Sequence, residues 1–387
     1  MGDLHEHPEL LLQRLQDDSG AYPASPTFSA YRGYSWFRDG SFIADAASVA
    51  GLSQPALAAS AERFFGWCSR TIEGLAPGID AIVAAQEAGE PLPDAAMPPT
   101  RFRFDGSAGD DHWWDFQLDG YGTWLWALDA HATRHGSDAG PYASAVALSV
   151  RFLLSTWHRP CFDWWEEHDE HRHVSTLGCV GAGLEAAVRL GVLPAGLAER
   201  ASAAAARIRE LVLDEGVRDG HLVKWLGSGD VDGSLSALVA PIGWIDPASP
   251  LARATLDAVH RDLEVDGGVH RFRDDTFYGG GQWPLLSCFL GLAELAAGRR
   301  DEAERLLAWA RSTATEEGWL PEQVGRHLLA PERETEWVER WGTVATPLLW
   351  SHAMVARLVA ALAAEGAVHP GAEAPPQPGA EREEVAR

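Results

Sequence analysis

The sequence contains a single lysine, Lys224, and only four cysteines in 387 residues. Acidic residues outnumber basic ones 56 to 31, giving a formal charge of −25. Such a surface repels phosphate backbones and anionic lipid, so nucleic acid and membrane surfaces are excluded as partners. A neutral substrate is indifferent to that field. The near-absence of lysine among so many arginines reads as a compositional bias. Cys68, Cys161, Cys179 and Cys288 form no C-x-x-C pair, and a chain this long needs no covalent staples. Free thiols in a reducing compartment are therefore expected. The N-terminus shows no basic segment leading into an apolar one, and no apolar run reaches 18 residues. A soluble, cytoplasmic protein is expected. The chain also lacks G-x-x-x-x-G-K and H-E-x-x-H, and no cofactor or metal is expected.

Tryptophan, by contrast, is abundant at 17 residues. It offers a flat apolar face and one donor, suited both to core packing and to stacking on a sugar ring. Core packing is expected for half or more of them. With 46 % hydrophobic and 22 % charged residues, the chain can bury a sizeable core.

Helical periodicity dominates. Leu57, Ala61, Phe64, Phe65 and Cys68 form one apolar face, and Leu197, Ala201, Ala204, Ile208 and Leu211 another. Ser249-Pro250 is a helix start, a cap followed by a residue of fixed φ. The pattern predicts about twelve helices, near 7–17, 40–51, 54–72, 119–135, 139–157, 177–190, 194–215, 233–240, 249–264, 283–298, 300–316 and 345–363. Twelve helices joined in pairs by tight turns suggest a toroid of six α-hairpins. Strand signals are confined to two small hairpins, around Asp219-Gly220 and in "VDGGVHRF". The stretch 75–118 reads as a long polar loop, and long loops commonly carry function. Residues 1–364 are expected to form a single domain, and the Pro/Ala/Glu-rich 365–387 a disordered tail.

Chemistry concentrates in five places. "DWWEEHDEHRH", residues 163–173, combines two tryptophans, five carboxylates and three histidines. Its spacing does not suit a metal, which leaves a charged solvent-facing turn or a carboxylic acid held against aromatic rings. Such burial raises a carboxyl pKa, as a general acid needs. "GWLPEQV" supplies Glu322 far downstream as a possible partner carboxylate. "YSWFRDGSF" sets Arg38 and Asp39 at a helix mouth, where they either grip hydroxyls or form a buried ion pair. "HWWDFQLDGYG" and "VHRFRDDTFYGGGQWPLL" add aromatic, acidic and arginine groups around turns.

Taken in order, "WFRDG", "QLDGYG", "DWWEE", "RFRDDTFYGGGQW" and "LPEQV" resemble glycoside hydrolase family 15, the glucoamylase-like α-glucosidases. "PLLWSHA" resembles a sixth motif. The resemblance spans about 36–354. It implies an all-α (α/α)6 barrel. It also implies that Glu166 is the general acid, Glu322 the general base, and Arg38 with Asp39 the grip on the non-reducing sugar. By the same resemblance Glu167 and Arg271 bind substrate near the cleaved bond, Trp113 and Trp283 line the site, and Asp163 and Asp275 support the acid and the arginine. Trp36 and Trp165, within the same motifs, are further candidate substrate contacts.

The partner implied is a small oligosaccharide, and the chemistry an inverting, exo-acting hydrolysis. The sequence resembles the compact isomaltose-acting branch, with no N-terminal β-rich domain and no starch-binding module. Action on α-1,4 or α,α-1,1 glucosides remains an alternative. So do a sugar-binding toroid without turnover, a phosphorylase, and a metal-dependent enzyme built on the histidines.

Overall fold

The structure, a computed structural model, describes residues 7–111, 113 and 116–368. The chain runs α1 (Glu9–Leu15), β1 (Tyr34–Trp36), α2 (Phe37–Ala50), α3 (Pro55–Gly74), α4 (Ala76–Ala88), β2 (Arg101–Arg103), α5 (Asp119–His135) and α6 (Ala143–Thr156). It continues through α7 (Val174–Arg189), α8 (Ala195–Glu215), β3 (Val217–Arg218), β4 (His221–Leu222), α9 (Leu235–Val239) and α10 (Pro250–Leu263). The last third holds β5 (Glu264–Val265), β6 (Gly268–Val269), α11 (Pro284–Ala296), α12 (Arg300–Arg311), α13 (Glu334–Trp341) and α14 (Leu349–Val368).

Burial sorts these helices into two layers. In α2 and α11, twelve residues each are buried out of 14 and 13. In the 21-residue α8 only Ala201, Ala204, Ala205, Ile208 and Val212 are. A helix buried all round belongs inside, and one with a single apolar stripe belongs outside. The inner layer closes on itself: α2 packs on α5, α5 on α7, α7 on α9, α9 on α11, α11 on α14, and α14 on α2. The helices α1, α3, α6, α8, α10 and α12 precede these in turn, giving six hairpins. Glycine permits the tightest inner contact. A Cβ on Gly122 of α5 would stand 2.3 Å from the Cys179 carbonyl oxygen of α7, and one on Gly183 would stand 2.5 Å from that of Gly122.

Local signals hold at several ends. The Ser249 hydroxyl accepts from the Ala252 amide at 3.1 Å, with Pro250 in the first turn of α10. Both expected hairpins form: β3 pairs with β4 through Asp219 (φ 50°) and Gly220 (φ 85°), and β5 with β6 through Asp266 (φ 54°) and Gly267 (φ 99°). Left-handed backbone at both central residues is what a two-residue hairpin turn demands.

The 75–118 stretch departs from the loop expected there. Residues 76–88 form α4, burying Ile79, Ile82 and Val83 at helical spacing and ending on left-handed Gly89. Pro77 does not prevent the helix, because proline is tolerated in a first turn, where its missing N–H has no partner to lose. Arg101–Arg103 then pair antiparallel with Tyr34–Trp36. A second unexpected helix, α13, buries none of its residues fully. These two additions account for fourteen α-helices among the described residues against the twelve of the hairpins. The final helix α14 runs past Glu365 to Val368, and the rest of the expected tail lies outside the described residues. All four cysteines are free and buried. No helix among the described residues is long and apolar enough to cross a membrane.

Candidate active site

All but one of the motifs lie at or before the N-terminus of an inner helix. "WFRDG" opens α2 and "QLDGYG" opens α5. "DWWEE" precedes α7, "RFRDDTFYGGGQW" leads into α11 and "PLLWSHA" into α14, while "LPEQV" lies between α12 and α13 and is held beside the start of α14 by the Leu348 amide, which donates to the Leu320 carbonyl at 2.9 Å. Residues distant in the chain thereby meet at one end of the barrel, where the positive ends of the helix dipoles also converge. A cavity of about 430 Å³ opens there. That volume suits a small organic ligand. Trp36, Arg38, Asp39, Trp113, Trp165, Glu166, Glu167, Arg271, Trp283 and Glu322 all line it. Asp163 and Asp275 stand behind the wall.

The floor is the first turn of α2. Arg38 Nη1 donates to Gln117 Oε1 at 2.5 Å and to Asp119 Oδ2 at 3.0 Å, while Nε lies 3.3 Å from Asp39 Oδ1. Arg38 and Asp39 thus form a buried ion pair and also face the cavity. Burial lifts the Asp39 carboxyl to about 7 against the pull of Arg38, with the Glu166 and Asp119 carboxylates adding to the rise.

Glu166 sits at the apex of a tight turn, with φ 64°. A non-glycine residue in that region costs about 1–3 kcal/mol, so its surroundings must hold it there. The Asp163 carboxylate does so: Oδ1 accepts from the amides of Trp165 and Glu167, each at 2.9 Å. Trp36 Nε1 donates to Glu166 Oε1 at 2.6 Å and Gln117 Nε2 to the same oxygen at 3.2 Å. Trp164 and Trp165 are buried, which removes the solvent-facing alternative for this turn. Two of the histidines of the same segment are occupied elsewhere: His171 stacks on Trp225 at 4.1 Å, and His173 Nε2 meets the His168 carbonyl at 2.9 Å.

Glu322, which lines the same cavity, is 2 % exposed. Its Oε1 accepts from Tyr31 Oη at 2.9 Å, and its buried Oε2 has no protein partner among the described residues. Burial pushes this carboxyl up to about 8, against the Tyr31 hydrogen bond and Arg271, while Asp39 and Glu166 push it further. Glu322 is therefore the more deeply buried of the two carboxyls, since Glu166 is half-buried. The rings of Tyr31 and Trp36, which hold the two carboxylates, meet edge-on at 5.4 Å.

Arg271 is clamped by Asp275 through two bonds, Nε at 2.8 Å and Nη2 at 2.5 Å, and donates to Glu167 Oε1 at 2.9 Å. Burial opposes its charge, but the two carboxylates hold its pKa above the usual value. Burial raises Glu167, with Arg271 opposing. Trp165, Phe277 and Trp283 surround the guanidinium at 5.1–5.4 Å.

Sequence reasoning missed Tyr31, His168, Phe277, Trp337 and Trp341, which also line the cavity. Trp337 and Trp341 come from α13, where Trp341 stacks on Trp113 at 6.0 Å and Trp337 Nε1 donates to the Thr276 carbonyl at 2.9 Å. Their i, i+4 spacing in "ETEWVERW" was the available signal. Among the described residues, eight tryptophans line the cavity: Trp36, Trp113, Trp164, Trp165, Trp283, Trp337, Trp341 and Trp350. Among the described residues no group of three or more His, Cys, Asp or Glu side chains could hold a metal ion.

The sequence is 53 % identical to isomaltose glucohydrolase of Kribbella flavida over 356 residues, 91 % of this chain and 90 % of that one. The fold superposes on a glycosidase variant in complex with glucose, with a TM-score of 0.89, 52 % identity, and 93 % and 96 % of the two chains covered. A bacterial glucoamylase complexed with acarbose shares the fold alone, with a TM-score of 0.70, 19 % identity, and 92 % and 55 % coverage. The family pattern of glycosyl hydrolases family 15 matches residues 9–363, and the chain belongs to that family.

Proposed function

We propose that the protein is an inverting, exo-acting α-glucosidase that releases β-glucose from the non-reducing end of short α-glucosides, with α-1,6-linked isomaltose as its substrate. The observation that carries this reading is the pair Glu166 and Glu322. Both line one cavity, and Glu322 has a buried oxygen free to take a proton. The non-reducing glucose sits on the floor against Arg38 and Asp39. Glu166 protonates the glycosidic oxygen as the C–O bond breaks. Glu322 takes a proton from the water that attacks C1 from the opposite face. One displacement inverts the anomeric centre.

Inversion needs a proton on the acid and none on the base. Substrate directs that proton. The glycosidic oxygen accepts from Glu166, and the attacking water donates to Glu322, so both favour the acid at 166 and the base at 322. Arg271 and Glu167, joined to each other, serve the leaving sugar. The compact cavity and the 53 % identity to an isomaltose glucohydrolase support a disaccharide substrate.

The test is hydrolysis of isomaltose, maltose and trehalose without phosphate, with the released anomer followed by polarimetry. Isomaltose should be cleaved fastest and β-glucose should appear first. First release of α-glucose rules out inversion, and a requirement for phosphate rules out hydrolysis.

A further inference from the structure

The one lysine in the chain is buried. Lys224 is 3 % exposed and follows β4. Its Nζ lies 2.9 Å from Asp163 Oδ2 and 2.6 Å from Asp232 Oδ2, and 3.8 Å from the centre of the Phe272 ring. Both aspartates are themselves buried. A buried cation between two buried carboxylates is costly to desolvate, and such an arrangement is weak evidence for stability alone. Its connections point elsewhere.

Asp163 is the carboxylate that closes the turn carrying Glu166. Its Oδ1 holds the amides of Trp165 and Glu167, its Oδ2 goes to Lys224, and its own amide and carbonyl bond to Glu167 O and Glu166 N at 3.0 and 3.1 Å. Asp232 holds the other side of the same turn. It accepts from Trp165 Nε1 at 3.0 Å, and from the amide and hydroxyl of Ser234, at the start of α9. The lysine therefore ties the strained turn to α9, the one inner helix that carries none of the recognised motifs.

We infer that Lys224 is a positioning residue for the reaction: through Asp163 and Asp232 it holds Glu166 at the glycosidic oxygen. The inference rests on the reading of Glu166 as general acid. Without the cation, Asp163 and Asp232 face each other unscreened, and the turn loses the group that orients its cap. Burial alone would raise Asp163, yet Lys224 and then His173 bring it down to about 2, so the cap stays an acceptor throughout the working range. An arginine fork cannot replace the lysine here, because the site takes one compact charge between two oxygens above a ring.

Two substrates that differ in their need for an acid supply the test. Isomaltose requires a proton on its leaving oxygen. In α-glucosyl fluoride the C1–F bond breaks with its electron pair on fluoride, water bonds to C1, its proton goes to Glu322, and no proton from Glu166 is needed. Lys224→Met should lower kcat on isomaltose ~10- to 100-fold, part of what a general acid supplies. KM should change less than ~3-fold, and α-glucosyl fluoride hydrolysis should stay near the wild-type rate. Lys224→Arg keeps a cation in place if the methionine variant does not fold, and it should show the same split. Glu166→Gln is the control. If it fails to show the split, the reading of Glu166 is wrong. If it shows the split while the Lys224 variants lose both substrates equally, or neither, the inference is overturned.

Discussion

Tyr31→Phe removes one oxygen atom and should cost the enzyme most of its base. The hydroxyl donates to Glu322 Oε1 at 2.9 Å, the one side-chain hydrogen bond this carboxyl receives among the described residues. The ring is held independently, 4.5 Å from Phe28 and 5.4 Å from Trp36 between centroids, so phenylalanine should keep its place. A neutral donor to a charged acceptor contributes ~1.5–3 kcal/mol. At 1.36 kcal/mol per tenfold, kcat/KM should fall ~10- to 100-fold. The pH dependence carries the sharper test. The hydroxyl favours the charged form of Glu322, whose carboxyl already stands at about 8. Losing it raises that value further, so less of the base is ionised at pH 7 and the acidic limb of kcat/KM moves to higher pH. Initial rates of isomaltose hydrolysis between pH 4 and 9 read both effects. A fall of less than ~2-fold with an unmoved limb would refute the assignment of Glu322 as the base held by Tyr31.

Other changes probe different links. Glu166→Gln and Glu322→Gln should each lower kcat on isomaltose by ~10²–10⁴-fold. Glu322→Gln should also raise the melting temperature at pH 8 and much less at pH 4.5. The folded carboxyl binds its proton up to about 8 while the unfolded one releases it near 4.5, so the wild type loses stability as pH rises between those values. Calorimetry at the two pH values checks the sign. Arg271→Lys should raise KM for isomaltose ~10-fold or more, because an ammonium cannot hold Asp275 through two bonds while reaching Glu167. Gly122→Ala should destabilise the barrel by ~1–3 kcal/mol in denaturant titration, since its methyl would press on the Cys179 carbonyl of α7.

The outer helices were the easier half of the fold to foresee. Leu57, Ala61, Phe64, Phe65 and Cys68 mark one face of α3 because water touches the opposite face, and that contrast is written along the chain. The inner helices show less contrast, being buried on nearly every side. α7 reads "VSTLGCVGAGLEAAVR", where the glycines mark close contacts, Gly183 with α5, Gly178 with Leu238 of α9 and Gly181 with Trp244, rather than a break. α4 escaped notice because Pro77-Gly78 resembles a turn, and α13 because its tryptophans serve a cavity wall instead of a core.

At the site, the individual groups were legible as chemistry: carboxylates beside tryptophans, and an arginine-aspartate pair at a helix mouth. Their ordered motifs identified the family. The companions that tune them were not legible. Tyr31 reaches Glu322 across 291 positions, Gln117 joins Arg38 to Glu166, and Lys224 looked like a compositional accident.

By itself, then, the chain determined its helices, its two hairpin turns and the residue types of its chemistry, because propensity, capping and periodicity act over a few neighbouring positions. Tertiary structure decided which carboxyl is buried most, which oxygen is left free, and which distant side chain holds each reactive group. Those properties depend on local dielectric and on contacts across the ring, which exist only once six hairpins have closed on one another.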